Sequence, residues 1–338
     1  MLKRFMLYPI VAVLIALMCC AASARMVPPF DLQSQMPLGD AICTGRITGS
    51  AIRPADSNGS AEWVLTFRVD RVIKGDIVSG TDIEVHYRDS ATPTSRYGNI
   101  AASMWSPVGW GYVLAALKKS ADGYVGVSGD CSMPVAERQN IPYARSGDAM
   151  TDLRWEVLNA LEDSSLLVVK SALQQTPILT TSQMKTYVEP LIGSAGEDVV
   201  LSALVGLVRA GRPGAAVTYL LAHDGSDFTQ GALARVKTAV QGTPAVSSAD
   251  LSTVSQLMNC KSVTLRRVGS YLLRLSRSTS VLPQLKAALG DPDIEVRYNA
   301  VMGLADVLHD NSGHAPTFHD YRASEQTHLS YWKSRTAQ

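Results

Sequence analysis

The sequence predicts a two-domain β + α protein, in which a small N-terminal β domain precedes an all-α helical array. Apolar and polar residues alternate in short stretches between residues 41 and 127, which is typical of strands with one buried face. From Met150 onward the apolar residues recur at helical spacing, in segments separated by short turns. The chain has 338 residues, which is enough for two domains that each bury a core.

The first residues predict an export signal. Lys3 and Arg4 precede an apolar run over residues 7–18, and small residues up to Ala24 supply a cleavage site. The run is shorter than the roughly 20 residues that a membrane-spanning helix needs. We therefore expect residues 1–24 to be removed and the mature chain to be periplasmic or secreted.

Two alternatives to simple cleavage remain open at this end of the chain. An uncleaved signal would act as a membrane anchor, and a lipoprotein signal would be cut before Cys19 or Cys20. Met18 stands where a lipoprotein signal requires a small residue, which argues against the lipid anchor. The most apolar later stretch, residues 199–208, is about half of a membrane span, so no membrane span is expected in the mature chain.

Composition excludes one class of partner. The full chain has 31 basic and 30 acidic residues, and removal of the signal takes away two basic residues and no acidic one, which leaves a formal charge of −1. A nearly neutral chain is not built to bind bulk nucleic acid or an anionic membrane surface. The expected partner is another protein.

The β domain is predicted over residues 40–139, after an extended, proline-containing lead-in over 25–39. Its strands are expected at residues 41–48, 62–73, 82–87, 112–117 and 123–127. Between the third and fourth strands lies a long loop, and its Trp105 and Trp110 together with Tyr112 form either a binding surface or part of the core. Cys43 and Cys131 stand near the two ends of the domain, so a disulfide between them is feasible in an oxidising compartment.

The helical part follows a linker over residues 140–149 and is predicted over 150–309. Its helices are expected at residues 151–162, 165–174, 181–192, 197–210, 214–223, 229–241, 249–258, 263–276, 281–289 and 294–308. Residues 310–338 are then a histidine-containing loop and a last helix, over 318–335, that caps the exposed end of the array.

The last helix pair carries a family resemblance. Leu285 and Leu289 form an apolar face before Gly290, and Asp291 and Pro292 open the next helix as cap and first-turn residue. This unit, including Val296-Arg297, resembles a HEAT repeat, and a second copy with Leu265-Arg266 stands 31 residues earlier. The resemblance implies a helical solenoid in which Arg266, Arg297, Asp291 and Asp293 form a structural ladder between units.

A second resemblance concerns the β domain. Its carriers are Ile42-Cys43-Thr44-Gly45, the run over residues 67–76 that ends in Lys-Gly-Asp, Gly111-Tyr112-Val113-Leu114 and the late Cys131. These segments resemble a netrin-like module, the OB-type barrel also found in tissue inhibitors of metalloproteinases. In those inhibitors a cysteine begins the mature chain, whereas Cys43 lies well inside this one, so the resemblance implies a fold and not inhibition.

No motif predicts catalysis, a cofactor or a metal. The four histidines at 309, 314, 319 and 328 lie in a loop-like tail and match no metal-binding motif. A triad assembled from distant residues, with Ser128 or Cys260 as the nucleophile, would leave no trace in spacing. We expect a non-enzymatic, exported protein-binding or scaffolding protein, and the alternative is an envelope enzyme or inhibitor-like protein acting through the β domain.

Overall fold

Six strands form the N-terminal part of the protein in a computed structural model. The structure describes residues 31–53, 61–89, 111–127, 132–194, 196–224, 235–236, 238–239, 246–310 and 312–336. Its strands are β1 (Ala41–Arg53), β2 (Ala61–Lys74), β3 (Asp82–Asp89), β4 (Val113–Ser120), β5 (Gly123–Gly126) and β6 (Ser132–Pro134).

Five of these strands close into a barrel. Strand β1 pairs antiparallel with both β2 and β4, and β3 pairs with β5 in parallel, so the order β1-β2-β3-β5-β4 returns to β1. The predicted small β-barrel is therefore confirmed. Strand β6, which the sequence analysis did not predict, pairs with the first residues of β4.

Alternate residues of β1 and β4 face two different cores. Cys43 and Ala115, which are paired neighbours, point into the barrel interior. Ile42 and Leu114 point outward and belong to the core of the helical part. Both faces of these strands are buried, because the outer wall of the barrel is also the surface on which the helices pack.

One glycine permits the close approach of β1 and β2. A Cβ at Gly45 would lie 2.0 Å from the carbonyl oxygen of Arg68 on β2. The pairing register of β1 and β2 also shifts beside this residue. Only glycine allows the two backbones to approach this closely.

Helices make up most of the remaining chain, which confirms the β + α class. They are α1 (Leu32–Gln35), α2 (Ala149–Leu161), α3 (Leu166–Gln174), α4 (Thr181–Gln183), α5 (Leu191–Ser194), α6 (Glu197–Arg209), α7 (Gly214–Ala222), α8 (Leu251–Gln256), α9 (Val263–Ser276), α10 (Leu282–Ala288), α11 (Ile294–Leu308) and α12 (Phe318–Thr336). The helix expected at 229–241 lies mostly outside the described residues.

Two predictions of local structure were wrong. The lead-in is not extended throughout, because Asp31 caps the short helix α1 and Leu32 is fully buried. The single helix expected at 181–192 is instead α4, a π-helical turn over Met184–Val188 and α5. Pro190 follows that turn, and proline has no N–H with which to continue a regular helix.

The C-terminal helices pack closely at a small residue. A Cβ at Gly269 of α9 would lie 2.7 Å from the Cβ of Leu257, which belongs to the 3₁₀ turn after α8. Helices α9 and α11 also pack against each other. Ser270 and Asn299 are both buried between them, and the Asn299 Nδ2 donates to the Ser270 Oγ at 3.1 Å.

Candidate functional site

Arg266 and Arg297 occupy equivalent positions in α9 and α11, 31 residues apart. Each guanidinium reaches back six residues: Arg266 Nη1 donates to the carbonyl oxygen of Cys260 at 3.1 Å, and Arg297 Nη1 donates to that of Asp291 at 2.6 Å. Each also reaches forward to a carboxylate. Arg266 Nε donates to Asp291 at 2.8 Å, and Arg297 Nε donates to Glu325 at 2.7 Å.

A second arginine joins the same turn. Arg267 donates to both carboxylate oxygens of Asp293, from Nε at 2.9 Å and from Nη2 at 2.7 Å. Asp293 is also the N-cap of α11, where its Oδ1 accepts the backbone N–H of Val296 at 3.2 Å. The cap was predicted at Asp291, which instead accepts the Asp293 N–H at 2.8 Å and so holds the turn in shape.

Two of these arginines lower the pKa of the carboxylates that they bind. The hydrogen bond from Arg267 lowers the pKa of Asp293, and the hydrogen bond from Arg297 lowers the pKa of Glu325. In both cases the donor stabilises the charged form more than partial burial disfavours it. The four residues predicted for the ladder thus contact neighbouring helices, although Asp293 pairs with Arg267 and Arg297 pairs with Glu325.

A cleft of about 380 Å³ opens beside these contacts, with Asp291 in its lining. It lies between α8, with its following 3₁₀ turn, and α10, and Gln256, Asn259 and Gln284 contribute side-chain amides to its lining. Gln284 Oε1 is buried and has no hydrogen-bond partner in the part of the chain that the structure describes. The charged group in the lining, Asp291, is already engaged by Arg266. The lining of this cleft suits polar, uncharged groups of a partner.

The barrel and the helices are joined by a buried ion pair that the sequence analysis missed. Arg71 on β2 donates to both carboxylate oxygens of Glu156 on α2, from Nε at 2.8 Å and from Nη2 at 2.7 Å. The Glu156 side chain is only 3% exposed. Burial raises the pKa of Glu156, although the hydrogen bond and charge of Arg71 oppose that shift.

Aromatic rings enclose the arginine of this pair. The Arg71 guanidinium carbon lies 5.2 Å from the ring centroid of Tyr112 and 5.8 Å from that of Trp155. The Tyr112 hydroxyl donates to Asp70 at 2.6 Å and lies 2.8 Å from Thr44 Oγ1. Burial, as the largest cause, raises the pKa of Tyr112. Tyr112 is 6% exposed, so its ring belongs to the interior and not to an exposed binding surface.

The predicted linker is fastened to α2. Asn159 Oδ1 accepts the backbone N–H groups of Asn140 at 2.6 Å and Ile141 at 3.1 Å, and its Nδ2 donates to the Arg138 carbonyl oxygen at 2.9 Å. Asp152 accepts the Ser146 N–H at 3.0 Å. Residues 140–148 are therefore irregular in backbone but packed against the helix, with no freedom of the kind a linker needs.

The structure describes some of the remaining predicted residues of the β domain and not others. Cys43 is fully buried in the barrel core with a free thiol, and burial raises the pKa of this thiol to about 12. Cys131, Trp105 and Trp110 lie outside the described residues. The predicted Cys43–Cys131 disulfide therefore has no support, and the predicted surface around the tryptophans stays a prediction.

The C-terminal histidines do not act as one cluster. His314 and His328 approach each other, with ring centroids 5.5 Å apart, whereas His319 is exposed on α12 and His309 ends α11 in a left-handed conformation. Within the described ranges, no three His, Cys, Asp or Glu side chains are placed to hold a metal ion.

No helix among the described residues is long and apolar enough to cross a membrane. No protein-family profile matches the chain, and no curated protein sequence shows significant similarity to it.

Proposed function

We propose that the chain is an exported, non-enzymatic scaffold that binds another protein. In this proposal residues 1–24 direct export, the barrel is a netrin-like, OB-type module, and the C-terminal helices form a HEAT-like solenoid that carries the partner. The closed five-strand barrel supports the OB-type assignment, since OB folds are five-stranded barrels.

The observation that carries the proposal is the repetition of the arginine contacts. Arg266 and Arg297 make the same pair of contacts, one to a carbonyl oxygen six residues back and one to a carboxylate of the next unit. Repeated contacts between neighbours are how a solenoid is built, and solenoids use their extended surfaces to bind other molecules. The amide-lined cleft beside Gln284 is the part of that surface we assign to the partner.

Site-specific crosslinking tests this assignment. A photo-reactive residue replaces exposed Ala287, which lines the cleft, in chains produced and exported in the native host. The matched control places the same residue at Val78, which is 65% exposed on the β2–β3 turn of the barrel. We expect a discrete crosslinked species from position 287 and none from position 78. The reverse pattern would assign binding to the barrel, and silence at both positions would contradict a protein partner.

Export has its own test. The mature protein recovered from the native host is expected to begin at Arg25, which N-terminal sequencing measures directly. A chain that retains Met1 and stays in the cytoplasm would remove the export part of the proposal and leave the binding part to the crosslinking result.

A further inference from the structure

Two histidines meet where the last helix closes onto the array. His314 lies in the loop after α11, and His328 lies on α12; their rings are 5.5 Å apart and nearly perpendicular. The His314 ring also stacks on Tyr331 at 3.9 Å, and Trp332 Nε1 donates to the His314 carbonyl oxygen at 3.0 Å. The pair is therefore part of the contact that holds α12 in place.

The surroundings of His328 favour its neutral state. The Nδ1 atoms of His314 and His328 are buried and have no hydrogen-bond partner among the residues that the structure describes. His328 is 8% exposed, and its Nε2 lies 3.2 Å from Ser324 Oγ. A protonated imidazole must donate from both nitrogens, so protonation would bury an unsatisfied N–H and a charge.

The surrounding carboxylates are occupied by other donors. Asp310 accepts the Tyr331 hydroxyl at 2.6 Å and lies 3.9 Å from Arg335. Asp320 accepts the Thr317 hydroxyl at 2.7 Å.

On the side of the pair that faces α11, Glu325 accepts from Arg297 at 2.7 Å and from the Tyr321 hydroxyl at 3.1 Å. The ring of Tyr321 lies 5.9 Å from that of His328. The nearby acidic groups thus hold other donors and the neighbouring histidine repels a second positive charge.

Burial is the main cause that lowers the pKa of His328. The charge of His314 lowers it further, and the charge of Asp320 opposes both effects. A histidine with a lowered pKa binds protons less well in the docked state than in the free chain. Its contribution to docking is complete above the ordinary pKa of about 6.5 and decreases as the pH falls below that value.

We propose that the His314–His328 contact makes α12 an acid-sensitive cap, which is held on the array at neutral pH and released when His328 is protonated. Tyr321 and Trp332, which belong to α12, are fully buried where this cap meets the array. Release therefore exposes both side chains and uncovers the apolar end of the helical array. The inference concerns closure of the chain's own last helix and does not depend on the proposed binding function.

Hydrogen exchange of the full chain at pH 7.5 and pH 5.5, corrected for intrinsic rates, tests the cap. Amides of α12 are expected to lose up to about tenfold in protection, because pH 5.5 is one unit below the ordinary histidine pKa of about 6.5, while those of α9 keep theirs. The double variant His314→Gln/His328→Gln is expected to lose this pH dependence. The control His319→Gln changes an exposed histidine of the same helix and is expected to behave as the unmodified chain does.

Equal α12 protection at both pH values in the unmodified chain would overturn the proposal. If the double variant does not dock α12 at all, titration of Trp332 fluorescence in the unmodified chain decides. A midpoint near pH 6 supports the histidine pair, and a midpoint near pH 4 assigns the release to carboxylates and rejects the pair.

Discussion

Arginine–carboxylate pairs occur at the junction of the barrel with the helices and again between the C-terminal helices, and they behave in opposite ways. At the junction, burial raises the pKa of Glu156 even though Arg71 binds both of its oxygens. Between the C-terminal helices, the arginine partners lower the pKa of Asp293 and Glu325. In each case the carboxylate is bound by an arginine guanidinium. The pKa values shift in opposite directions because the carboxylates are removed from water to different extents.

The two kinds of pair therefore stabilise the protein differently. In a deeply buried pair the desolvation cost of the charges is large, and the attraction between the two partners only offsets it. Such a pair fixes the relative position of its two elements more than it adds stability. The carboxylates of Asp293 and Glu325 are 11% and 18% exposed, against 3% for Glu156, so their pairs keep more contact with water and add a modest net gain. The junction is expected to be intolerant of losing one partner, whereas the repeat contacts should weaken gradually when one is removed.

The largest expected effect is at the junction. Arg71→Met keeps an apolar side chain of similar length beside Tyr112 and Trp155, but it removes the guanidinium from both rings and leaves the Glu156 carboxylate buried and unpaired. We expect the free energy of unfolding to fall by about 3 kcal/mol or more, measured as the shift in the urea midpoint.

The matched control for the junction is on the same strand. Arg68→Met removes a pair with Asp82 in which both side chains are about half exposed, and it should cost less than about 1 kcal/mol. Equal effects of the two substitutions would show that burial does not distinguish the pairs, and the comparison would fail.

The second effect concerns the ladder. Arg266→Met removes the hydrogen bonds to Asp291 and to the Cys260 carbonyl oxygen, at a position where the arginine side chain is 13% exposed. We expect a loss of about 2 kcal/mol, concentrated in faster hydrogen exchange of α9 and α11. A loss spread evenly over the barrel as well would mean that the ladder is not a local contact between units. Arg53→Met, which removes an exposed pair with Glu62, serves as the control and should cost under about 1 kcal/mol.

A smaller effect is expected at the two described cysteines. Cys43→Ser places a hydroxyl in the apolar barrel interior and should cost about 1–3 kcal/mol, while Cys260→Ser, at a half-buried site, should stay within about 0.5 kcal/mol. Denaturation of both variants measures this. A Cys43–Cys131 disulfide would instead make Cys43→Ser and Cys131→Ser equally destabilising and would block alkylation of both thiols before reduction.

Local sequence patterns predicted most of the described elements. Alternation located β1 to β5, and α9 and α11 were predicted with their observed bounds because each has a regular apolar face. The uninterrupted apolar run at the start of β4 also has a physical cause, since one face of that strand lines the barrel and the other contacts the helices.

Contacts between distant residues could not be predicted in the same way. Arg71 and Glu156 are 85 positions apart, and neither residue type nor spacing marks them as partners. The one signal for Glu156 was its position among apolar residues of α2. The same pattern is equally typical of a charged residue that is exposed to solvent. The packing of residues 140–148 was missed for a related reason, because Asn159 satisfies their backbone N–H groups from a helix that had not yet been placed beside them.

The smallest expected effect separates the two regions by pH. A lowered pKa means that Asp293 and Glu325 stabilise the fold above their ordinary pKa values of about 4 and lose that contribution as the pH falls below them. The raised pKa of Glu156 has the opposite sign: protonation favours the folded state, so acidification relieves the buried charge. As the pH falls from about 4 to about 3, amides of α11 should therefore lose protection from hydrogen exchange before those of α2, by less than about 1 kcal/mol per pair. Earlier opening of α2 would contradict the assignment of Glu156 as the desolvated member of the comparison, because its protonation would then weaken the junction.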